Sequence, residues 1–493
     1  MHNSQNRTPY LDELISYVKN KTLAFHTPGH QQGKGAPKKF ADFIGMKALE
    51  ADITQILGMD DIHQPRGIIK EAQELAAEAY GADYSYFLIN GSSSGNQAMI
   101  LSVCNPGDEI IMPRNAHKSA TGALILSGVR PVYIQPEFDP EMHVDHTIST
   151  EKLEKTLKKH PNAKAVFVVS PTYYGATADL RTIAKLSHKY GKAFLVDEAW
   201  GPHLHFHPDL PVSAMDAGAN LSVNSTHKLI SGFSQSSMLH LKGKRVDRGR
   251  LEGVLKIFLS TSPCSLLVAS LDVARMQMAT HGRELLTKTI ALANHAREEI
   301  NKIPGLKVFG KEIIGKPGVH DFDSTRLPIT AKELGYTGYE VEKILRRHYN
   351  IQIEMSDLFN VVALITIGHS EKEIKKLIDV FKKFASSKFK NGSEKSHLFL
   401  KRLKKAVELP PHPPQRMTPR EAFVAEFKTL NFKDSAGRIC SEIVTPYPPG
   451  IPILCPGEEI TREIIDYLKM ELEAGIKIQG PVDPSMKTIR VVR

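Results

Sequence analysis

Four short apolar runs, each stopped abruptly by polar residues, constrain this fold more than any other feature of the chain. Ala193-Phe-Leu-Val196 is apolar without alternation and stops at Asp197. Such a run reads as a strand buried on both faces of a parallel sheet. Tyr86-Phe-Leu-Ile89 stops at Asn90 and the loop Gly91-Ser-Ser-Ser-Gly95. Ile110-Ile-Met-Pro113 stops at Arg114-Asn-Ala-His117, and Asn220-Leu-Ser-Val-Asn224 runs into Ser225-Thr-His-Lys228. Helical stretches alternate with these strands, which predicts an α/β architecture around a mostly parallel sheet. In open sheets of that kind, ligands sit beyond the carboxyl ends of the strands. The residues at these stops are therefore the candidate site.

Those residues carry a consistent chemistry. Lys228 follows the hydroxyls of Ser225 and Thr226. A desolvated lysine amine has a depressed pKa and condenses with an aldehyde, as pyridoxal phosphate (PLP) requires. Asp197 supplies the carboxylate that keeps a pyridine nitrogen protonated; a helix N-cap is the competing account. Ala199 is small enough for a ring to lie flat against the backbone. Trp200, the only tryptophan, offers an indole N–H to a phenolic oxygen, or else packs in the core. Ser92, Ser93 and Ser94 precede a helix predicted from about Asn96 to Val103. Backbone N–H groups and hydroxyls there suit a phosphate. The loop matches neither the P-loop nor G-x-G-x-x-G, and an ordinary serine-rich turn would look the same. His117 has the ring to stack on a pyridine; a solvated loop histidine is the alternative.

Further segments are Phe25-His-Thr-Pro-Gly-His30, Asp61-Ile-His-Gln-Pro-Arg-Gly67, Thr261-Ser-Pro263 and Thr445-Pro-Tyr-Pro-Pro-Gly450. With the stops, they resemble the group III pyridoxal-dependent Orn/Lys/Arg decarboxylases, in family order over nearly the whole chain. The resemblance implies PLP fold type I (aspartate aminotransferase-like), PLP as cofactor, and decarboxylation of a basic L-amino acid. Arginine to agmatine is favoured, with lysine to cadaverine and ornithine to putrescine as alternatives, feeding polyamine biosynthesis. By the same resemblance Lys228 carries the cofactor, Asp197 pairs with its ring nitrogen, and His117 stacks on the ring. Ser93, Ser94, Ser225 and His227 surround the phosphate. Thr261 and Ser262 resemble a segment that serves the neighbouring subunit's site, which implies a homodimer or higher homo-oligomer. Two departures touch substrate choice: Cys264-Ser265 stands where an aromatic is common, and Trp200-Gly-Pro-His203 replaces an Asp-Glu-Ala-His-Gly form. Phe25-His-Thr-Pro-Gly-His30 begins too early for the N-terminal wing of the large members, so a short form is expected. An aminotransferase or a PLP-dependent oxidase would share the lysine and the aspartate, because fold does not fix reaction type.

Punctuation predicts an N-terminal arm over 1–40 with a helix near Tyr10–Lys19. A PLP-binding domain follows over 41–300, left by a helix from Arg283 to about Ile303. A small α+β domain over 301–386 carries strand Val361–Thr366 and helix Glu371–Lys383. A polar linker over 387–395 leads to a C-terminal α+β domain over 396–493. At 493 residues and 41% hydrophobic, cores of that extent can be buried.

The net charge is +10, but basic runs such as Lys401-Arg-Leu-Lys-Lys405 are scattered and lack interleaved aromatics. No nucleic-acid partner is expected. No apolar stretch reaches membrane-spanning length, and the N-terminus has no apolar signal region. Cys104, Cys264, Cys440 and Cys455 form no C-x-x-C pair. A cytoplasmic enzyme with reduced thiols and no membrane partner is expected. His203, His205 and His207 would share one face of a strand, but no acid or cysteine completes a ligand spacing. No metal is expected, and His203 is kept as a substrate contact. A cationic substrate needs acidic partners: Glu442 and Glu458 around Thr445–Gly450, and Glu354 and Asp357 before Leu358-Phe-Asn-Val, are the candidates.

Overall fold

The computed structural model describes residues 4–387, 410–447 and 450–493. The chain packs as two compact units, each drawn from separated stretches: Met1–Val103 with Ala193–Leu286, and Cys104–Lys192 with Thr287–Arg493. The predicted linker beyond Ser387 lies outside the described residues. So do 396–409 of the predicted C-terminal domain, including the Lys401–Lys405 run, and Pro448 and Pro449.

In the first unit four strands pair in the order Tyr84–Leu88, Ser237–Leu241, Leu221–Asn224, Ala193–Asp197. The last pair is parallel, with Asp197 opposite Val223; the other two are antiparallel. Ala193–Asp197, Leu221–Asn224 and Ser237–Leu241 are buried along their whole lengths; for Ala193–Val196 the lack of alternation predicts it. Helix Gly91–Val103 lies hard against this sheet. A Cβ on Gly95 would stand 2.4 Å from Val223 Cγ2 and 2.8 Å from Leu88 Cδ1. The helix begins earlier than the predicted Asn96, because the serines form its first turn: Ser94 Oγ donates back to the Gly91 carbonyl at 2.7 Å.

Helix Pro9–Lys19 forms as predicted, and a fully buried ion pair clasps the arm. Arg275 donates to Asp272 Oδ1 at 2.6 Å and to the carbonyls of Gln5 and Arg7 at 2.7 and 2.6 Å. Asp272 Oδ2 accepts from the Tyr10 N–H at 3.0 Å. Where a helix is predicted from Arg283, the structure has one that begins much earlier, Ser265–Asn301, starting in the first unit and ending in the second. Gly282 does not break it. A Cβ there would come within 3.1 Å of Phe206 Cβ, so close approach accounts for the glycine despite its cost of about 1 kcal/mol in a helix interior.

In the second unit Ala165–Val169, Glu109–Pro113 and Arg130–Ile134 are parallel neighbours in that order. A four-stranded antiparallel sheet runs Lys307–Val308, Arg326–Thr330, Asn360–Leu364, Met355–Ser356. Helices Gly338–Tyr349 and Glu371–Ser386 contribute to its core, which includes Leu327, Val361, Leu345, Phe381 and Phe384. Capping boxes start both helices, Thr337 with Glu340 and Ser370 with Glu373. A further core of Phe432, Leu454, Ile464, Leu468 and Val491 joins helix Arg462–Ala474 to the antiparallel strands Phe427–Asn431 and Thr488–Val492.

Candidate active site

The first unit gathers most of the residues singled out from sequence. Asp197 closes a buried strand and is 3% exposed. Its Oδ2 accepts from Asn96 Nδ2 at 2.7 Å and its Oδ1 from the Ala199 N–H at 3.1 Å. Burial pushes its pKa up, opposed by the Lys228 charge and those two hydrogen bonds. A buried carboxylate whose hydrogen-bond donors are both neutral is a good partner for a cationic ring N–H.

Lys228 lies in the single turn Thr226–Leu229, directly after strand Leu221–Asn224. Its Nζ stands 3.8 Å from the centre of the Trp200 ring, a cation–π contact. Trp200 and Ala199 are both buried. Ser225, fully buried, donates to Ser92 Oγ at 2.7 Å. That hydroxyl pair joins the turn before Lys228 to the first turn of helix Gly91–Val103, whose N-terminus favours an anion. Ser93 is exposed beside it. His227 Nδ1 lies 2.8 Å from the Ser236 carbonyl, and burial, with the Lys228 charge, lowers its pKa. The set of amine, buried carboxylate, hydroxyl pair and helix N-terminus matches the demands of a phosphorylated, aldehyde-bearing pyridine.

Thr261 and Ser262 are exposed on the loop before the long helix. The Thr261 carbonyl accepts from Gln55 Nε2 at 3.2 Å, and the Ser262 N–H donates to Ser260 Oγ at 3.1 Å. His203 is fully buried. It precedes a 3-10 turn, Leu204–Phe206, so the three alternating histidines do not line a strand face. His205 Nδ1 instead lies 2.8 Å from Asp216 Oδ2.

In the second unit, His117 caps helix Lys118–Ser127, its Nδ1 accepting from the Ser119 N–H at 3.2 Å. A Cβ on Gly450 would stand 3.3 Å from its ring. The acids marked for a cationic substrate occupy different settings there. Glu442 accepts from the N–H groups of Val482 and Arg490, both at 2.8 Å. Glu458 is fully buried, bidentate to Arg114 at 2.9 and 3.0 Å, and also accepts from the Cys455 N–H. Both carboxylates thus brace the unit's own backbone and Arg114. Glu354 is exposed. Asp357 accepts from Tyr174 Oη at 2.6 Å and from the N–H groups of Phe359 and Asn360.

Two further residues belong with Asp197 and escape a sequence reading. Asn96 sits in the helix, where nothing distinguishes it from a solvated polar residue. Glu198 is 2% exposed, its carboxyl accepting from Asn224 Nδ2 at 3.0 Å and the Ala214 N–H at 2.7 Å. Burial pushes its pKa up to about 8. Its one sequence signal is the place next to Asp197 at the end of a buried strand.

Residues 8–373 match the Orn/Lys/Arg decarboxylase major domain, and residues 401–480 match the C-terminal domain of the same family. The chain is 43% identical over 490 residues to an arginine decarboxylase of Bacillus subtilis, covering 99% of both chains. It is 44% identical over 489 residues to an arginine decarboxylase of Halalkalibacterium halodurans, covering 99% of this chain and 98% of that one. Among solved structures, the constitutive lysine decarboxylase of Escherichia coli superposes with a TM-score of 0.85 at 23% identity, over 99% of this chain and 82% of that chain. That likeness bears out the α/β fold predicted from the buried runs. With both family domains matched in order, and relatives aligned end to end at over 40% identity, the chain belongs to the Orn/Lys/Arg decarboxylase family.

Proposed function

We propose that this chain is a PLP-dependent arginine decarboxylase that releases carbon dioxide and leaves agmatine, a polyamine precursor. The observation that carries the reading is the end-to-end similarity to two arginine decarboxylases; the Asp197–Lys228–Trp200 cluster supports the chemistry. PLP, when bound, supplies an electrophilic carbon for amines and a π system that takes up the electron pair of the breaking Cα–carboxylate bond. Lys228 would hold the cofactor through its amine. Asp197 keeps a proton on the ring nitrogen, supported by Asn96 and the Ala199 N–H. Ser92, Ser93, Ser225 and His227, with the N-terminus of helix Gly91–Val103, hold the phosphate. Ser94 shapes the turn; Trp200 would donate its indole N–H to the phenolic oxygen and, by the family resemblance, His117 would stack on the ring. Residues that fix the substrate's Cα–carboxylate bond in one orientation would make an entropic contribution. One carbon dioxide leaves and one proton, from Lys228 or a histidine, replaces it on Cα.

Thr261 and Ser262 act in the site of a second copy, making a homodimer the working unit, and the setting is the cytoplasm. Support for the dimer comes from the first unit's exposed apolar residues: Phe25, Phe43 and Leu57 are 91%, 85% and 103% exposed. The test is purified protein with PLP and arginine, lysine or ornithine in parallel, with carbon dioxide and amine measured. Agmatine and carbon dioxide in equal amounts from arginine are expected. A keto acid or hydrogen peroxide in their place overturns the reading.

A further inference from the structure

The second unit encloses a cavity that the chemistry above does not use. Three carboxylates reach it from three elements: Asp145 from strand Val144–Asp145, Asp357 from the turn before strand Asn360–Leu364, and Glu471 from helix Arg462–Ala474. Its walls are apolar and aromatic, with Leu358, Phe359, Ile453 and Ile476 beside tyrosine rings, and among the described residues no lysine or arginine lines it. Tyr339 and Tyr467 donate to Glu471 at 3.0 and 2.9 Å, and Tyr174 donates to Asp357 at 2.6 Å. Two buried acceptors on the lining are left over. Among the described residues, Asp145 Oδ1 has no hydrogen-bond partner, and neither has Thr172 Oγ1, on a residue 4% exposed. Buried polar atoms without partners are rare and call for a donor.

The charges say what kind. Burial raises Asp145 to about 7 against the nearby charges of Arg114 and Lys152. Burial also raises Glu471 to about 7, with Asp357 adding repulsion and two tyrosines opposing it, and raises Asp357. His143 lines the same wall, stacked on Phe359 at 4.0 Å. An empty cavity of this kind holds protons near neutrality; a cation with several N–H donors would replace them. Aromatic walls favour an organic cation over a hydrated metal ion.

We propose that this cavity binds an alkyl cation of the guanidinium or primary-ammonium class. Its charged head lies on Asp145, Asp357 and Glu471, and its methylenes lie against Phe359, Ile453 and Ile476. The proposal rests on the reading that the chain handles basic amino acids, which gives two sources of that chemistry: the substrate's side chain, or the free amine product acting as an effector.

Butylguanidine is the probe, since it lacks the α-amine and carboxylate, and calorimetry on the PLP-loaded enzyme is the readout. Saturable binding is expected, with proton release at pH 7 seen across buffers of different ionisation enthalpy. Affinity should rise with pH through about 7, because the cation favours the ionised acids. Asp145→Asn and Glu471→Gln should each weaken binding by about tenfold or more. Wild-type proton release tests the idea even if a variant does not fold. Kinetics separate the sources. A raised KM with a smaller change in kcat, and competition by butylguanidine, assign the cavity to the substrate's side chain. Unchanged KM with lost inhibition by agmatine assigns it to the free amine. No binding, binding without proton release, or equal affinity in folded variants overturns the proposal. A chain that binds butylguanidine but releases no carbon dioxide from any basic amino acid overturns the decarboxylase reading instead.

Discussion

At Asp197, burial and charge pull in opposite directions: desolvation favours the neutral acid, while Lys228, Asn96 and the Ala199 N–H favour the carboxylate. Asp197→Asn removes the charge but leaves the volume. Cofactor should stay bound while kcat falls by about 100- to 1,000-fold, the scale of losing an electrostatic partner inside a dry site; single-turnover release of carbon dioxide measures it. Lys228→Ala should abolish turnover and the visible absorption of the lysine-linked cofactor, and near-normal turnover would refute its role. Glu198 gives a pH prediction. The folded protein keeps its proton up to about 8, whereas the ordinary value is 4.5. Its contribution to stability is therefore whole below about 4.5 and is lost as pH rises through about 8. The melting temperature should fall between about pH 6 and pH 9, and less steeply in Glu198→Gln. That variant should be accommodated, because Asn224 Oδ1 is buried without a partner among the described residues and a flipped amide can accept from the new glutamine. Asp197 and Lys228 were legible in the sequence because strand ends mark them. Asn96 and Glu198 were not, since their meaning comes from partners 101 and 26 residues away.

Among the elements, the helix that carries the serines shows where local rules mislead. Gly95→Ala improves helix propensity by about 1 kcal/mol. The added methyl would meet Val223 Cγ2 and Leu88 Cδ1 at 2.4 and 2.8 Å, and overpacking of that kind costs about 1–3 kcal/mol. Contact should win: a lower urea midpoint is expected, with weaker PLP affinity because the helix N-terminus must move. A more stable Gly95→Ala protein would mean that the helix can slide on its sheet. The buried strands were legible because an unbroken apolar run has few other readings. The single helix Ser265–Asn301 was not, because a glycine is a breaker by propensity and a contact point by packing, and only the neighbour, Phe206, decides between them.

For the whole molecule, shared sites predict complementation. A Lys228→Ala chain and a Ser262→Arg chain, each inactive alone, should recover part of the activity after subunit exchange. An active, strictly monomeric protein in sedimentation would rule sharing out. Of the acidic cavity, sequence reading reached Asp357 alone: Asp145 and Glu471 are far apart in a chain with many exposed acids, and only the folded backbone makes neighbours of them. The clasp around Arg275 extends to the order of synthesis. Its acceptors on Gln5 and Arg7 leave the ribosome about 270 residues before the guanidinium that binds them. At roughly 5–20 residues per second, that is roughly a quarter of a minute to a minute. During that interval the Pro9–Lys19 segment has no Asp272 to dock on. The ion-paired anchor of this arm is thus completed only by residues made long after it, however early its other contacts form.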